Sequence, residues 1–405
     1  FDHFSEKITL QKMILNWLND NYQKSLNVVL AVLVFFVPLS KAIPNIILIP
    51  ASLLYLFTIY KKKEFKQPLF WYLLFFMVLS FIVNAALVGD LINEIDYLKK
   101  IITGLFLFIL IKESQHINLI EKSFLLGVTL AIFYSLSKIF LSYFNGVSFS
   151  LGTGEDVNTL LIMERPYFAF ATVLANYLIL LKIRKNQYNR YFYTLALFIT
   201  VFCFFISARL GIVLHTLLLI HHGYRIVGKL KFRHFLVLIS IFGLIVFSLI
   251  KNPYLKERMR VSENLDITIR KLKAYEPRFV IWECSFELIE DNYLVGLHSH
   301  QSLQHALDSC YKDKIDKEKK INYYLDSGFN THNQLFDVLL VGGILSSILF
   351  VGTFSIPFIM YRRHDQILTV FLLFIAFFVV ENVFLRQAGC FLFGIFAALS
   401  FKRDE

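Results

Sequence analysis

Residues 69–88 read Leu69-Phe70-Trp71-Tyr72-Leu73-Leu74-Phe75-Phe76-Met77-Val78-Leu79-Ser80-Phe81-Ile82-Val83-Asn84-Ala85-Ala86-Leu87-Val88, twenty positions without a charge. About 20 apolar residues in helical conformation cross the hydrocarbon of a bilayer. Lys61-Lys62-Lys63 and Lys66 stand before this run and Lys99-Lys100 after it, so it is an apolar block bounded by charge. The whole chain repeats the pattern. Its 405 residues are 57% hydrophobic and 18% charged, with 44 Phe and 20 Tyr, whereas soluble domains run about 45–50% apolar and about 25% charged. Disorder is excluded, and an ordinary water-soluble enzyme does not fit.

Working outward, hydropathy reads twelve such runs, at about 26–40, 44–60, 69–88, 99–111, 120–144, 166–182, 191–207, 209–222, 235–250, 333–360, 367–382 and 388–401. The expected fold is an all-α integral membrane protein with about twelve transmembrane helices. The fourth run is short for a span and predicts a tilted or distorted helix. Residues 8–26 mix Ile14, Leu15, Trp17, Leu18 and Tyr22 with Lys and Asn, the pattern of an amphipathic helix in the membrane interface. The chain divides into residues 1–250 (interfacial helix and nine spans), 251–331 (a polar loop) and 332–405 (three spans and a tail).

Lys and Arg give the orientation. With the N-terminus inside, the inner segments hold twenty-one basic residues, among them Lys61-Lys62-Lys63, Arg225, Lys229, Lys231, Arg233 and Arg362-Arg363. The short outer loops hold six: Lys41, Lys99, Lys100, Arg165, Arg209 and Arg386. This bias places both termini in the cytoplasm. The net charge of +11 is therefore an orientation signal and does not point to nucleic acid.

The loop from Lys251 to Thr331 falls on the outer side. A segment this long predicts a function of its own. Glu276–Asn292 reads as a helix, with Phe279, Trp282, Phe286 and Ile289 at helical spacing, and Gln301–Tyr311 as a second short helix. Lys312–Lys320 reads as a solvated mixed-charge face. Cys284 and Cys310 both fall in the loop, so a bridge between its helices is open, for geometry to decide. Cys203 and Cys390 read as packing residues. His298, His300 and His305 have no clear fourth ligand and read as a polar lip, so no metal is expected. Gly152-Thr153-Gly154 lacks the strand and helix of a phosphate loop and reads as a turn.

Ionisable residues at the ends of membrane helices are functional candidates. The outer rim carries Arg165, Arg209, Arg278, His332, Asp337, Glu381 and Arg386, with Asn333 beside the histidine. A guanidinium grips phosphate oxygens in pairs. A leaving diphosphate needs its growing charge stabilised. A histidine accepts a hydroxyl proton near neutral pH. Together these parts suit glycosyl transfer from a lipid diphosphate. No Asp-x-Asp or Asp-Asp pair marks a metal-held diphosphate, which leaves arginine as the charge clamp.

Pro277-Arg278-Phe279-Val280-Ile281-Trp282, then Gly296, then His332-Asn333-Gln334-Leu335 and Gly342-Gly343-Ile344-Leu345 resemble the O-antigen ligase family. That family is related to the O-antigen polymerases and to bacterial O-linked protein oligosaccharyltransferases. Ser207-Ala208-Arg209-Leu210-Gly211 resembles its upstream arginine motif. The resemblance implies twelve helices, cytoplasmic termini, and a large periplasmic loop between the ninth and tenth, in the bacterial inner membrane. It implies metal-independent, inverting transfer of a glycan from undecaprenyl diphosphate to lipid A–core at the periplasmic face, without a cofactor. Arg209 and Arg278 would hold the diphosphate, His332 would assist the acceptor hydroxyl, and Glu381 stands at the family's late acidic position. Arg165, Arg386 and Asn333 join them as expected substrate contacts. The expected partners are the lipid-linked O-antigen, lipid A–core and membrane lipids. Two departures, Leu297-His298-Ser299-His300 after Gly296 and the 312–320 charge insertion, bear on the acceptor. A polymerase or a protein oligosaccharyltransferase with the same donor is the alternative. A transporter, which would show broken helices around a midplane site, is a third reading of another class.

Overall fold

The computed structural model describes residues 21–61, 66–146, 158–184, 190–206, 208–226 and 276–402. The expected ninth run at 235–250, the turn at Gly152-Thr153-Gly154, the start of the outer loop and most of the N-terminal amphipathic stretch lie outside them. Among the described residues the chain is helical and has no strand. Helix α1 covers residues 21–36. It is followed by α2 (Ile43–Lys61), α3 (Leu69–Leu87), α4 (Leu91–Glu113), α5 (Ile117–Phe144), α6 (Arg165–Arg184), α7 (Arg190–Phe205) and α8 (Arg209–Ile226). After the undescribed segment come α9 (Arg278–Asn292), α10 (His300–Lys314), α11 (Glu318–Ser327), α12 (Gln334–Met360), α13 (Asp365–Phe378), a 3-10 turn at Val383–Leu385, and α14 (Gln387–Lys402).

Four of these are long and apolar enough to cross a membrane: α3, α5, α6 and α12. The apolar parts of α2, α7, α8, α13 and α14 are shorter. Every expected run outside 235–250 has most of its length in a helix, and the runs expected to 40 and to 382 extend beyond theirs. The fourth apolar run is short, and it lies inside a longer helix: α4 has 23 residues, because its first turns are helical although polar. The run expected to 382 leaves the helix at Phe378, so Glu381 and Asn382 sit on irregular backbone between α13 and the 3-10 turn. The charged residues of Lys312–Lys319 are exposed, as a solvated mixed-charge face requires, and Glu318 within it opens α11, a helix whose Tyr324 is buried.

Packing is aromatic and close. Helices α4 and α14 meet where a side chain at Gly104 would strike the Cys390 carbonyl at 2.8 Å. Small residues at such a crossing let two backbones approach, and contact of this kind drives helix association in lipid, where the hydrophobic effect between helices is absent. Around it, Phe70 meets Phe108 and Phe371 edge-to-face at 5.2 Å, and Phe374 meets Phe393 at the same distance. Helix α12 lies against α3, and α6 against α7 and α8. Cys203 and Cys390 are free and buried, as packing residues.

The loop helices are tied to one another and to the bundle. Cys284 on α9 and Cys310 on α10 form a disulfide with Cα atoms 5.8 Å apart. Helix α12 is interrupted at Gly343 (φ 70°, ψ −168°), a left-handed conformation that glycine adopts without a Cβ clash. Beside it, Gly296 (φ 78°) leaves no room for a side chain, since a Cβ there would lie 2.7 Å from Gly343 N. The loop backbone fills the gap: Leu297 N donates to Leu340 O (2.6 Å), His298 N to Val341 O (3.0 Å) and Ile344 N to Leu294 O (3.3 Å). Irregular backbone at membrane depth is tolerated where protein satisfies it. The broken helix thus receives the loop.

Candidate active site

Four of the residues singled out from sequence meet where loop and bundle join. Arg209 opens α8 and Arg278 opens α9. Pro277 precedes Arg278, and its lack of an N–H costs nothing at a helix start. Glu381 lies on the irregular segment after α13. His332 lies two residues before α12 with φ 44°, a left-handed backbone that is uncommon for a residue with a side chain. Its amide donates to Asn330 Oδ1 at 3.0 Å, which helps to hold that conformation.

Glu276 makes these four one chain. Arg209 Nη1 donates to Glu276 Oε2 at 2.9 Å, and Arg278 Nη1 donates to Glu276 Oε1 at 3.1 Å. Arg278 Nη2 donates to Glu381 Oε1 at 2.9 Å, and His332 Nδ1 stands 3.5 Å from Glu381 Oε2. Arg209 is the most exposed member, its side chain 53% exposed, and Glu381 the least at 11%. Two nitrogens of the chain, Arg278 Nε and His332 Nδ1, are buried without a hydrogen-bond partner among the described residues. A buried donor left unmade costs about 1–3 kcal/mol, so the cluster holds unused hydrogen-bonding capacity.

A second network backs this one. His300, the first residue of α10, places Nδ1 2.8 Å from Glu94 Oε2 and Nε2 3.1 Å from Asp337 Oδ2. Its backbone N–H also donates to Glu94. Both ring nitrogens face carboxylates, so both donate and the ring is an imidazolium. Burial by itself pushes the His300 pKa down, but the Asp337 and Glu94 carboxylates outweigh it and raise the pKa to about 9. Asp337 also accepts from Asn382 Nδ2 at 2.9 Å and Gln334 Nε2 at 3.3 Å. Asn382 Nδ2 donates in addition to Thr331 Oγ1 at 2.8 Å. Thr331 and Asn382 are the chain neighbours of His332 and Glu381, so this network fixes the backbone that carries the histidine and its carboxylate.

The remaining candidates fall elsewhere. Asn333 is the N-cap of α12: its Oδ1 accepts from Leu335 N (3.0 Å) and Phe336 N (3.1 Å), and its Nδ2 donates to Val379 O (3.2 Å). Its carboxamide is thereby committed to holding the helix start. Arg386 lies beside a different carboxylate, with Nε 3.6 Å from Glu164 Oε2. Arg165 opens α6, and its backbone N–H donates to Asn158 Oδ1 at 3.1 Å. Glu276, Glu94 and His300 are the residues that sequence reasoning did not place in the site. Among the described residues no group of three His, Cys, Asp or Glu is arranged to hold a metal ion, and His300 of the His298–His300–His305 trio is committed to Glu94 and Asp337.

The arrangement offers two guanidinium groups on one rim, held by carboxylates that an incoming anion can replace, and an imidazole with a carboxylate behind it. That suits anion binding next to proton transfer. No protein-family model matches this chain, and no curated protein matches it.

Proposed function

We propose that this protein is a lipid-diphosphate glycosyltransferase of the O-antigen ligase kind. It would transfer a glycan from undecaprenyl diphosphate to lipid A–core on the periplasmic face of the bacterial inner membrane. The observation that carries the reading is the continuous Arg209–Glu276–Arg278–Glu381–His332 chain. The proposal includes twelve spans with cytoplasmic termini. The Cys284–Cys310 disulfide supports an oxidising compartment for the loop.

In the free protein Glu276 occupies both guanidinium groups, as a phosphate oxygen pair would. The donor diphosphate displaces it and takes Arg209 and Arg278, while Glu381 stays on Arg278 and His332. The acceptor hydroxyl attacks the anomeric carbon from the face opposite the diphosphate and inverts it. The carbon–oxygen bond to phosphate breaks as the new glycosidic bond forms. The hydroxyl proton passes to the outward ring nitrogen of His332, and Glu381 stabilises the resulting imidazolium through Nδ1. Charge accumulating on the leaving diphosphate falls on the two arginines. The transporter reading finds less support, because the break in α12 is filled by backbone bonds from Leu297 and His298.

The test is Arg278→Ala and His332→Ala in a strain that depends on this gene, scored by lipopolysaccharide ladders at matched protein level. Loss of O-antigen caps with polymerised lipid-linked glycan accumulating is expected. Single-repeat caps would identify a polymerase instead, and unchanged ladders in both variants would reject the transfer reading.

A further inference from the structure

On the other side of the Glu381–Arg386 segment lies a cavity of about 180 Å³, well above the roughly 30 Å³ that one water occupies in the liquid. Tyr167 stands between the two places: it lines the cavity, and its hydroxyl donates to Asn382 O at 3.0 Å. Three cations line this cavity, Lys41, Lys100 and Arg386, together with one carboxylate, Glu164. Glu164 pairs with Lys41 at 3.1 Å and with Arg386 at 3.6 Å. Lys100 has no carboxylate partner among the described residues, and its ammonium donates to the Leu385 carbonyl at 3.1 Å. Two positive charges are therefore left over.

A separate observation points the same way. Gln387, which lines the cavity, has a buried Nε2 without an acceptor among the described residues. It is also the first residue of the 16-residue helix α14, so the unpaired N–H groups of that helix start face the same end. An orphaned amide donor, an unneutralised ammonium and a helix N-terminus around one cavity call for an acceptor with several oxygens and negative charge. The rest of the wall is apolar, including Val37, Met163 and Phe391, which suits a hydrocarbon chain attached to that group.

We propose that this cavity binds a phosphate carried on an apolar chain, at a place distinct from the Arg209–Arg278 pair. Lys100 and Gln387 would contact the phosphate directly, with Arg386 released from Glu164 to join them. The ligand would be a polyprenyl phosphate or the headgroup of an anionic bilayer lipid, which share this chemistry. The proposal does not depend on the transfer reading, because its test reads binding alone.

Full-length protein in phosphatidylcholine nanodiscs is titrated with farnesyl phosphate, with farnesol, with inorganic phosphate and, in separate discs, with phosphatidylglycerol, and binding is read by native mass spectrometry. Saturable binding of farnesyl phosphate is expected, weakened about tenfold in Lys100→Gln and in Gln387→Leu and restored in Lys100→Arg. Competition by phosphatidylglycerol identifies a bilayer headgroup as the occupant, and its failure to compete identifies a polyprenyl phosphate. Farnesol or inorganic phosphate binding as well as farnesyl phosphate would overturn the proposal. So would a loss confined to Arg278→Gln, or wild-type binding in both Lys100→Gln and Gln387→Leu. Melting curves of each variant separate lost binding from lost folding.

Discussion

His300 and His332 are both loop histidines set against carboxylates of the bundle, and they are held in opposite ways. His300 has an acceptor on each ring nitrogen at 2.8 and 3.1 Å, and it is fully used. His332 has one carboxylate at 3.5 Å and a buried Nδ1 without a hydrogen bond, on a left-handed backbone. A satisfied histidine between two acids is a fastening. A strained, under-satisfied one beside a single acid keeps hydrogen-bonding capacity for a ligand. The chain places the fastening directly behind the poised group, through Asp337, Asn382 and Thr331.

The strongest way to break this comparison is to exchange the losses. His332→Ala should cut transfer by about 10²–10⁴-fold, the range for a lost acid–base group, with an unchanged melting temperature; a matching loss of stability would make His332 a fastening too. Glu94→Ala should act in the reverse manner. It leaves a buried imidazolium short of a partner and should cost about 3–5 kcal/mol, read by proteolysis of the loop. An intact loop would sink the assignment.

Smaller effects sharpen the contrast. Serine at both Cys284 and Cys310 opens a cross-link spanning 26 residues, for which chain entropy gives about 3–4 kcal/mol. The loop should then yield to protease at lower denaturant, without an effect on the arginines. Stability should also depend on pH. The His300 pKa is raised from 6.5 to about 9 on folding, so its contribution is fully present below pH 6.5 and is lost as pH rises through about 9. The protection of α10 amides relative to their intrinsic exchange rate should fall across that window, and His300→Gln should abolish that fall. Last, Glu276→Gln removes the carboxylate that competes with phosphate on two half-exposed arginines, and KM for the donor should fall about threefold. A rise in KM would make Glu276 part of the donor site.

Much of this was legible in one dimension. Arg209, Arg278, His332 and Glu381 stand out because they sit at helix ends on the outer side, whose short loops hold only six basic residues against twenty-one inside. The helical runs follow from hydropathy, whereas Asn333, expected as a substrate contact, is the N-cap of α12. What escaped depends on pairing across the chain. Glu276 sits next to Arg278 and reads as a local partner, but its second oxygen belongs to Arg209, 67 positions away. His300 looks like a surface histidine until α4 brings Glu94 to it across 206 positions. The apolar run at 99–111 is shorter than α4 because the charges of Lys99 and Lys100 end the run without ending the helix. The apolar side of α11, Ile321 and Tyr324, is hidden among lysines.

The docking of the loop on the interruption at Gly343 bears on how the protein is made. Helix α12 has carbonyls at Leu340 and Val341 that its own turns do not satisfy, and Leu297 and His298 supply the missing amides. Hydrocarbon cannot replace those bonds. The loop precedes α12 in the chain and therefore leaves the ribosome first, so it is available as a template when that helix enters the bilayer. Integration of α12 then becomes a checkpoint on the loop: a nascent chain whose loop has not formed carries an unfinished membrane helix, the kind of defect that membrane quality control removes.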